Sequence, residues 1–178
     1  MDEPRGIRLS QTTGFTGRIF SVTTDRVTLP NGRTVAMELV RHPGSVVLIP
    51  LLDDARIVLI RQYRYALDRW IWELPAGSLE PGEDPVAAAA RECEEEIGLV
   101  PTTVTFAGAW YPTPGFCTEV MNYYRLDGLR APRPDGPAAE KDEDEDIRVQ
   151  PFSVDEARAM VRRGDIIDLK TAWGLTLI

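Results

Sequence analysis

The sequence is short of the groups that many chemistries require. It holds two cysteines, Cys93 and Cys117, too few for a disulfide framework and neither with a CxxC partner. They read as reduced thiols in a reducing compartment. A single histidine, His42, excludes any mechanism built on several histidines and reads as structural. No apolar run approaches the ~20 residues of a membrane span. The opening stretch, MDEPRGIRLSQTTG, has no signal-peptide core. A cytoplasmic protein without a membrane partner is expected. Basic surplus is missing too: 20 Lys and Arg against 28 Asp and Glu leave a net charge of -8. That argues against general nucleic-acid binding, which needs a basic surface. An anionic substrate would need metal ions or a local arginine cluster to offset the repulsion.

What is present is ordinary globular material. The chain has 178 residues, 43% of them hydrophobic and 27% charged, enough for one domain with a sizeable core. Residues 1 to about 13 read as a loose arm. RIFSVTTDRVTL and RTVAMELVRH are strand-like runs on either side of a Pro30-Asn31-Gly32 turn. GSVVLIPLL and ARIVLIRQYR are almost continuously apolar, which predicts strands buried on both faces. WIWELPAGSLEPGE reads as a short strand and a Gly/Pro-rich loop. Asp84 as N-cap, Pro85 at the first helical position and Gly98 as stop predict a helix over 85–97. TVTFAGAWYPT, EVMNYYRLDGL and IRVQPF are further strands, and residues 127–142 read as a loop. SVDEARAMVRRG is a second helix with a Ser153–Glu156 capping box and a stop at Gly164. DLKTAWGLTLI is a short closing helix. The class is mixed α/β.

The stretch RECEEEIGLV packs Glu92, Glu94, Glu95 and Glu96 into five positions of an acidic chain. On a helix, Glu92 and Glu96 share a face and Glu95 lies three from Glu92, so three carboxylates are expected to point into one small volume. Val86, Ala89, Ala90, Cys93 and Ile97 supply apolar contacts on other sides. Carboxylates are the usual ligands of magnesium or manganese, and such ions would cancel the repulsion. A solvated acidic face is the other reading of such a run. A solvated face, however, has no need of Gly77 six residues before Glu83, or of Arg91 eight after it. Arg91 is placed to hold Glu83 or a neighbour and so orient the ligands.

Residues 77–99, GSLEPGEDPVAAAARECEEEIGL, match the Nudix box G-x5-E-x7-R-E-U-x-E-E-x-G-U, U being aliphatic. Cys93 at an aliphatic position is the one departure, and a small buried thiol fills that place. The chain resembles the Nudix hydrolases over roughly residues 14–178. That resemblance implies an α/β/α sandwich around a mixed sheet, with an N-terminal antiparallel strand region. It divides the chain into residues 1–45, arm and dimerisation or substrate-binding strands, and residues 46–178, the hydrolase domain. It implies Mg2+, or Mn2+, at two or three ions per site. Glu92, Glu96 and the carbonyl of Ala76 are the implied ligands, with Glu95 a third candidate ligand and, with Arg91, counted as catalytic.

The flanks RQYRYALDRWIWELPAGSLEPGE and TPGFCTE resemble the ADP-ribose pyrophosphatase subgroup. There a Ser-Pro-Gly turn about fifteen residues past the box contacts the ribose side; here it is Thr113-Pro114-Gly115, followed by Glu119. Arg64 is implied to hold a phosphate, and Glu73 to contact substrate. In DEDEDIRV, Glu143 is implied as general base and Glu145 as a further metal ligand, although Glu119 and Glu145 are also open as the base. The expected reaction is metal-dependent cleavage of ADP-ribose to AMP and ribose 5-phosphate. Another nucleoside diphosphate sugar such as GDP-mannose is the alternative, and a non-catalytic nucleotide-sugar sensor a more distant one. A homodimer whose N-terminal strands cross to the partner is implied, with Phe15, Phe20, Trp70 and Trp72 available to stack on the base.

Overall fold

The computed structural model describes residues 3–132 and 146–178. In chain order these form β1 (Ile7–Thr16), β2 (Ser21–Thr28), β3 (Thr34–Arg41), β4 (Ser45–Pro50), β5 (Arg56–Arg64), β6 (Arg69–Glu73), β7 (Ala76–Ser78), α1 (Pro85–Ile97), β8 (Thr103–Trp110), β9 (Met121–Asp127), β10 (Ile147–Ser153), α2 (Val154–Arg163) and α3 (Leu169–Gly174). They divide into two compact units. Met1–Gly44 and Tyr111–Val120 form one; Ser45–Trp110 and Met121–Ile178 form the other.

The second unit carries a four-stranded sheet, β7-β4-β9-β8, and a three-stranded sheet, β10-β5-β6. β4 and β9 run parallel; the other strand pairings of this unit are antiparallel. The continuous apolar runs read as strands buried on both faces are β4 and β5, and alternation explains them. Val47 and Ile49 of β4 and Ile57 and Leu59 of β5 pack with Ala157, Met160, Ile166 and Leu175 on the α2–α3 side. Their neighbours Val46, Leu48, Val58 and Ile60 pack with Ala88, Ala89, Cys93 and Ile97 of α1 on the other. Side chains of period two thus feed two cores at once, and helices cover both. Each fully buried aliphatic chain contributes about 1.5–3 kcal/mol, so this layer is the main anchor of the unit. Pro151 sits in β10, at a sheet edge, where its missing N–H is tolerated.

The first unit is the antiparallel meander β1-β2-β3. Its predicted turn is present: Leu29 and Arg33 close the β2–β3 hairpin, and Gly32 takes φ +82°. The loose arm is a correction. Residues 7–16 are a ten-residue strand paired with β2, yet every one of them is exposed. With no buried face there is no hydrophobic period to read. Ladder hydrogen bonds hold the strand instead. In the same unit the 111–120 segment is tied to the end of β3. Val40 N–H donates to Phe116 O at 2.8 Å, and Thr118 N–H to Val40 O at 3.0 Å.

Candidate active site

The acidic helix α1 begins and ends as its sequence dictates. The Asp84 carboxylate accepts from Val86 N–H at 3.3 Å, Pro85 is the first helical residue, and Gly98 closes the helix at φ +69°. Ala88, Ala89, Cys93 and Ile97 face the core. Val86, expected among the apolar contacts, is exposed, because it lies in the first turn beside the cap. Burial pushes the Cys93 thiol up to about 12, a value that neighbouring Glu94 and Glu96 reinforce. The side chain is therefore a small apolar filler rather than a nucleophile.

Arg91 is the hub of the helix's carboxylates. Its Nε and Nη2 donate to the two oxygens of Glu83 at 2.8 and 3.0 Å, and Nη1 donates to Glu92 at 2.8 Å and to Glu95 at 2.7 Å. The fork geometry of a guanidinium makes this possible; an ammonium could not span it. The hydrogen bond from Arg91 holds the Glu83 carboxyl below its ordinary value. Glu83 in turn accepts from Glu80 N–H at 3.0 Å, so the 78–84 loop is stitched to the helix.

Two carboxylates of α1 are buried: Glu92 is 9% exposed and Glu96 2%. A Cβ placed on Gly77 would stand 1.9 Å from the Glu92 carboxyl carbon and one of its oxygens. A side chain there would displace the Glu92 carboxylate from β7, which gives Gly77 the role that the acidic run alone left unexplained. Glu96 accepts from Ala76 N–H at 2.9 Å. Helix and β7 therefore meet at Gly77 on Glu92 and Ala76 on Glu96. Of the three carboxylates expected together, Glu92 and Glu95 share Arg91 Nη1, and Glu96 turns to Ala76 N–H. Among the described residues, no three Asp, Glu, His or Cys side chains close on one metal-binding point. The donor set nevertheless fits a hard divalent cation. Glu92 and Glu96 are oxygen donors removed from water, one turn apart, in a knot with more carboxylates than cations.

A second ion network lies on β5, β6 and α3. Arg64 donates from Nε and Nη2 to the two oxygens of Glu73 at 2.7 and 2.9 Å. Lys170 reaches the same carboxylate at 3.0 Å and Asp168 at 3.3 Å. Burial would raise the Glu73 carboxyl; the Arg64 hydrogen bonds and the charges of Lys170 and Arg64 outweigh it and hold the group below its ordinary value. Arg64 and Glu73, expected as separate substrate contacts, are thus partners of each other. Lys170 and Asp168 were missed, since nothing in DLKTAWGLTLI signals a reach across 97 residues to the end of β6.

The NUDIX domain profile matches residues 41–170. This chain belongs to the NUDIX family. Among its relatives, the "ADP-ribose pyrophosphatase" of Bacillus subtilis (strain 168) is 35% identical over 161 residues, covering 90% of this chain and 85% of the relative. A "Methanol dehydrogenase activator" of Bacillus methanolicus is 40% identical over 157 residues, covering 88% and 83%. A solved "ADP compounds hydrolase" superposes with a TM-score of 0.78 at 20% identity, over 99% of this chain and 94% of that one, which shows the shared fold.

Within this NUDIX chain the remaining expected residues fall as follows. Arg64, Glu73, Ala76, Arg91, Glu92, Glu95 and Glu96 all belong to the second unit. Thr113, Pro114, Gly115 and Glu119 belong to the first. There Thr113 O accepts from Cys117 N–H at 3.0 Å, a turn, and Thr118 Oγ1 accepts from His42 N–H at 3.0 Å. The His42 ring accepts from Gly44 N–H at 3.0 Å. Glu143 and Glu145 lie outside the described residues. Of the aromatic candidates, Trp72 packs edge-on against Phe152 at 5.1 Å, and Trp70 lies under the Arg148 guanidinium at 4.6 Å. Phe15 and Phe20 pair at 6.0 Å and are both exposed. No helix among the described residues is long and apolar enough to cross a membrane.

Proposed function

We propose that this Nudix hydrolase cleaves the diphosphate of ADP-ribose, giving AMP and ribose 5-phosphate. The observation that carries the chemistry is the junction of α1 and β7, where buried Glu92 lies on Gly77 and buried Glu96 on Ala76. The substrate is supported by the likeness to the Bacillus subtilis ADP-ribose pyrophosphatase. Glu92, Glu96 and the Ala76 carbonyl would hold Mg2+ or Mn2+, with Glu145 completing the set. When bound, the cation neutralises charge on the diphosphate and lowers the pKa of bound water. Arg91 keeps Glu92 and Glu95 oriented through the charge-assisted bonds described above. Glu143 takes the proton of the attacking water. Arg64, oriented by Glu73, meets a phosphate as a charge-assisted donor. Thr113, Pro114, Gly115 and Glu119 bind the ribose side.

We further propose a homodimer built through the N-terminal strands. Its support is β1, an exposed strand that carries Ile7, Leu9 and Phe15 in water. The likeness to the methanol dehydrogenase activator favours a second reading, action toward a partner enzyme.

The test is product analysis with ADP-ribose and with GDP-mannose, each with Mg2+ and then with chelator. AMP and ribose 5-phosphate, formed only with Mg2+, are expected. Turnover of GDP-mannose alone would keep the chemistry and replace the substrate. No turnover of either would shift weight to the partner-enzyme reading.

A further inference from the structure

We propose that Lys170 and Thr171, adjacent on α3, are positioning residues that fix the Leu74–Ala76 crossing and so set where Ala76 meets Glu96; the proposal rests on the hydrolytic reading above. The backbone groups of Leu74 and Pro75 and the N–H of Ala76 each have a partner. Leu74 N–H donates to Thr171 Oγ1 at 2.6 Å, and Leu74 C=O accepts from Lys170 Nζ at 2.7 Å. Pro75 has no N–H, and its C=O accepts from Leu48 N–H at 2.9 Å. Ala76 N–H goes to Glu96 at 2.9 Å. Both groups of Leu74 are therefore held by side chains of one short helix that the reaction otherwise does not use.

Those side chains are themselves fixed. Thr171 is fully buried, and its hydroxyl donates to Asp168 at 2.6 Å, which leaves its lone pairs for Leu74. Lys170 has three donors, and they meet Leu74 O, Glu73 and Asp168. Tyr123 O–H donates to Lys170 O at 3.0 Å, holding α3 from its other side. The helix is pressed close: a Cβ on Gly174 would stand 2.3 Å from Leu74 Cδ1. Lys170 also grips the Glu73 carboxylate that orients Arg64, so one residue bears on the crossing and, through Glu73, on Arg64.

The full-length chain with Thr171→Val, Thr171→Ser or Lys170→Met tests this. Valine keeps the shape and loses the hydroxyl; serine keeps the hydroxyl. The first readout is Mn2+ binding without substrate, followed by the paramagnetic resonance of free Mn2+; the others are kcat, KM and melting temperature. Thr171→Val and Lys170→Met should each weaken Mn2+ binding by about tenfold, in the range of lost supporting contacts to ligands. Thr171→Ser should restore it. If Thr171→Val does not fold, Lys170→Met decides, because its side chain sits at the margin, 14% exposed. Variants that melt lower yet bind Mn2+ and turn over as wild type does would overturn the positioning role. A wild-type chain that neither binds Mn2+ nor hydrolyses ADP-ribose would instead remove the functional reading beneath it.

Discussion

The two ion networks of the second unit look alike and are balanced differently. Around Arg91, one guanidinium meets three carboxylates, Glu83, Glu92 and Glu95, and Glu96 stands nearby on Ala76. Around Glu73, two cations, Arg64 and Lys170, meet two carboxylates, Glu73 and Asp168. The charges of the second network match, two against two. Among the described residues, the first carries four carboxylates around one guanidinium, an acidic excess of the kind that divalent cations suit. If the proposed metal site is right, charge balance, rather than the number of acidic residues, is what separates it from a scaffold.

The largest expected effect follows from the unbalanced side. Glu96→Gln keeps a carbonyl oxygen that can accept from Ala76 N–H, and it removes one negative charge from the knot. Turnover of ADP-ribose should fall by more than about 100-fold, beyond what the loss of a supporting contact costs. The melting temperature without metal should hold or rise. A variant that keeps its rate but melts lower would make Glu96 a scaffold residue and erase the contrast.

The balanced side should answer in the opposite sense. Glu73 is 2% exposed, so Glu73→Gln leaves Lys170 without its nearest carboxylate charge in a buried place. A loss of about 3 kcal/mol is expected, the low end for a broken buried pair because Arg64 is partly in water. Its pH dependence follows from the depressed carboxyl. A group whose folded value lies below its unfolded 4.5 stabilises the fold above that pH, and the gain is lost as pH falls through the folded value. The gap between wild type and variant should thus be full at pH 7 and close progressively below 4.5. Denaturant titrations across that range measure it. A gap that stays constant would mean that shape, not charge, holds the network.

The sequence shows one network and hides the other for a physical reason. Gly77, Glu83, Arg91, Glu92 and Glu96 fall within 23 residues, so helical spacing and one loop bring them together. Asp84, Pro85 and Gly98 set the helix limits through local hydrogen bonds and a positive φ, which are equally readable. The Glu73 network joins residues almost a hundred positions apart, and nothing local records that α3 reaches β6. The same logic separates β4 and β5 from β1. The buried strands announce themselves by composition; β1 is fixed by its ladder and leaves no hydrophobic trace. Arg64 and Glu73 were named for substrate but not as a pair, because the resemblance supplies roles and not contacts.

The smallest effect is expected at Cys93, where the anionic knot passes into the core. The thiol belongs to the buried cluster of Val46, Leu48, Ala89 and Ile97, about 100° around the helix from Glu92. With its value pushed up to about 12, almost no thiolate exists at pH 8, and the side chain is fully buried. Iodoacetamide should therefore leave Cys93 unlabelled in the native chain and label it after denaturation. Cys93→Val restores the aliphatic residue of the box and should change stability by less than about 1.5 kcal/mol, with kcat and KM for ADP-ribose unchanged. Rapid native labelling at Cys93, or a rate that moves with this substitution, would show that the inner face of α1 communicates with its carboxylates. The division between a packed face and a reactive face on one helix would then have to be redrawn.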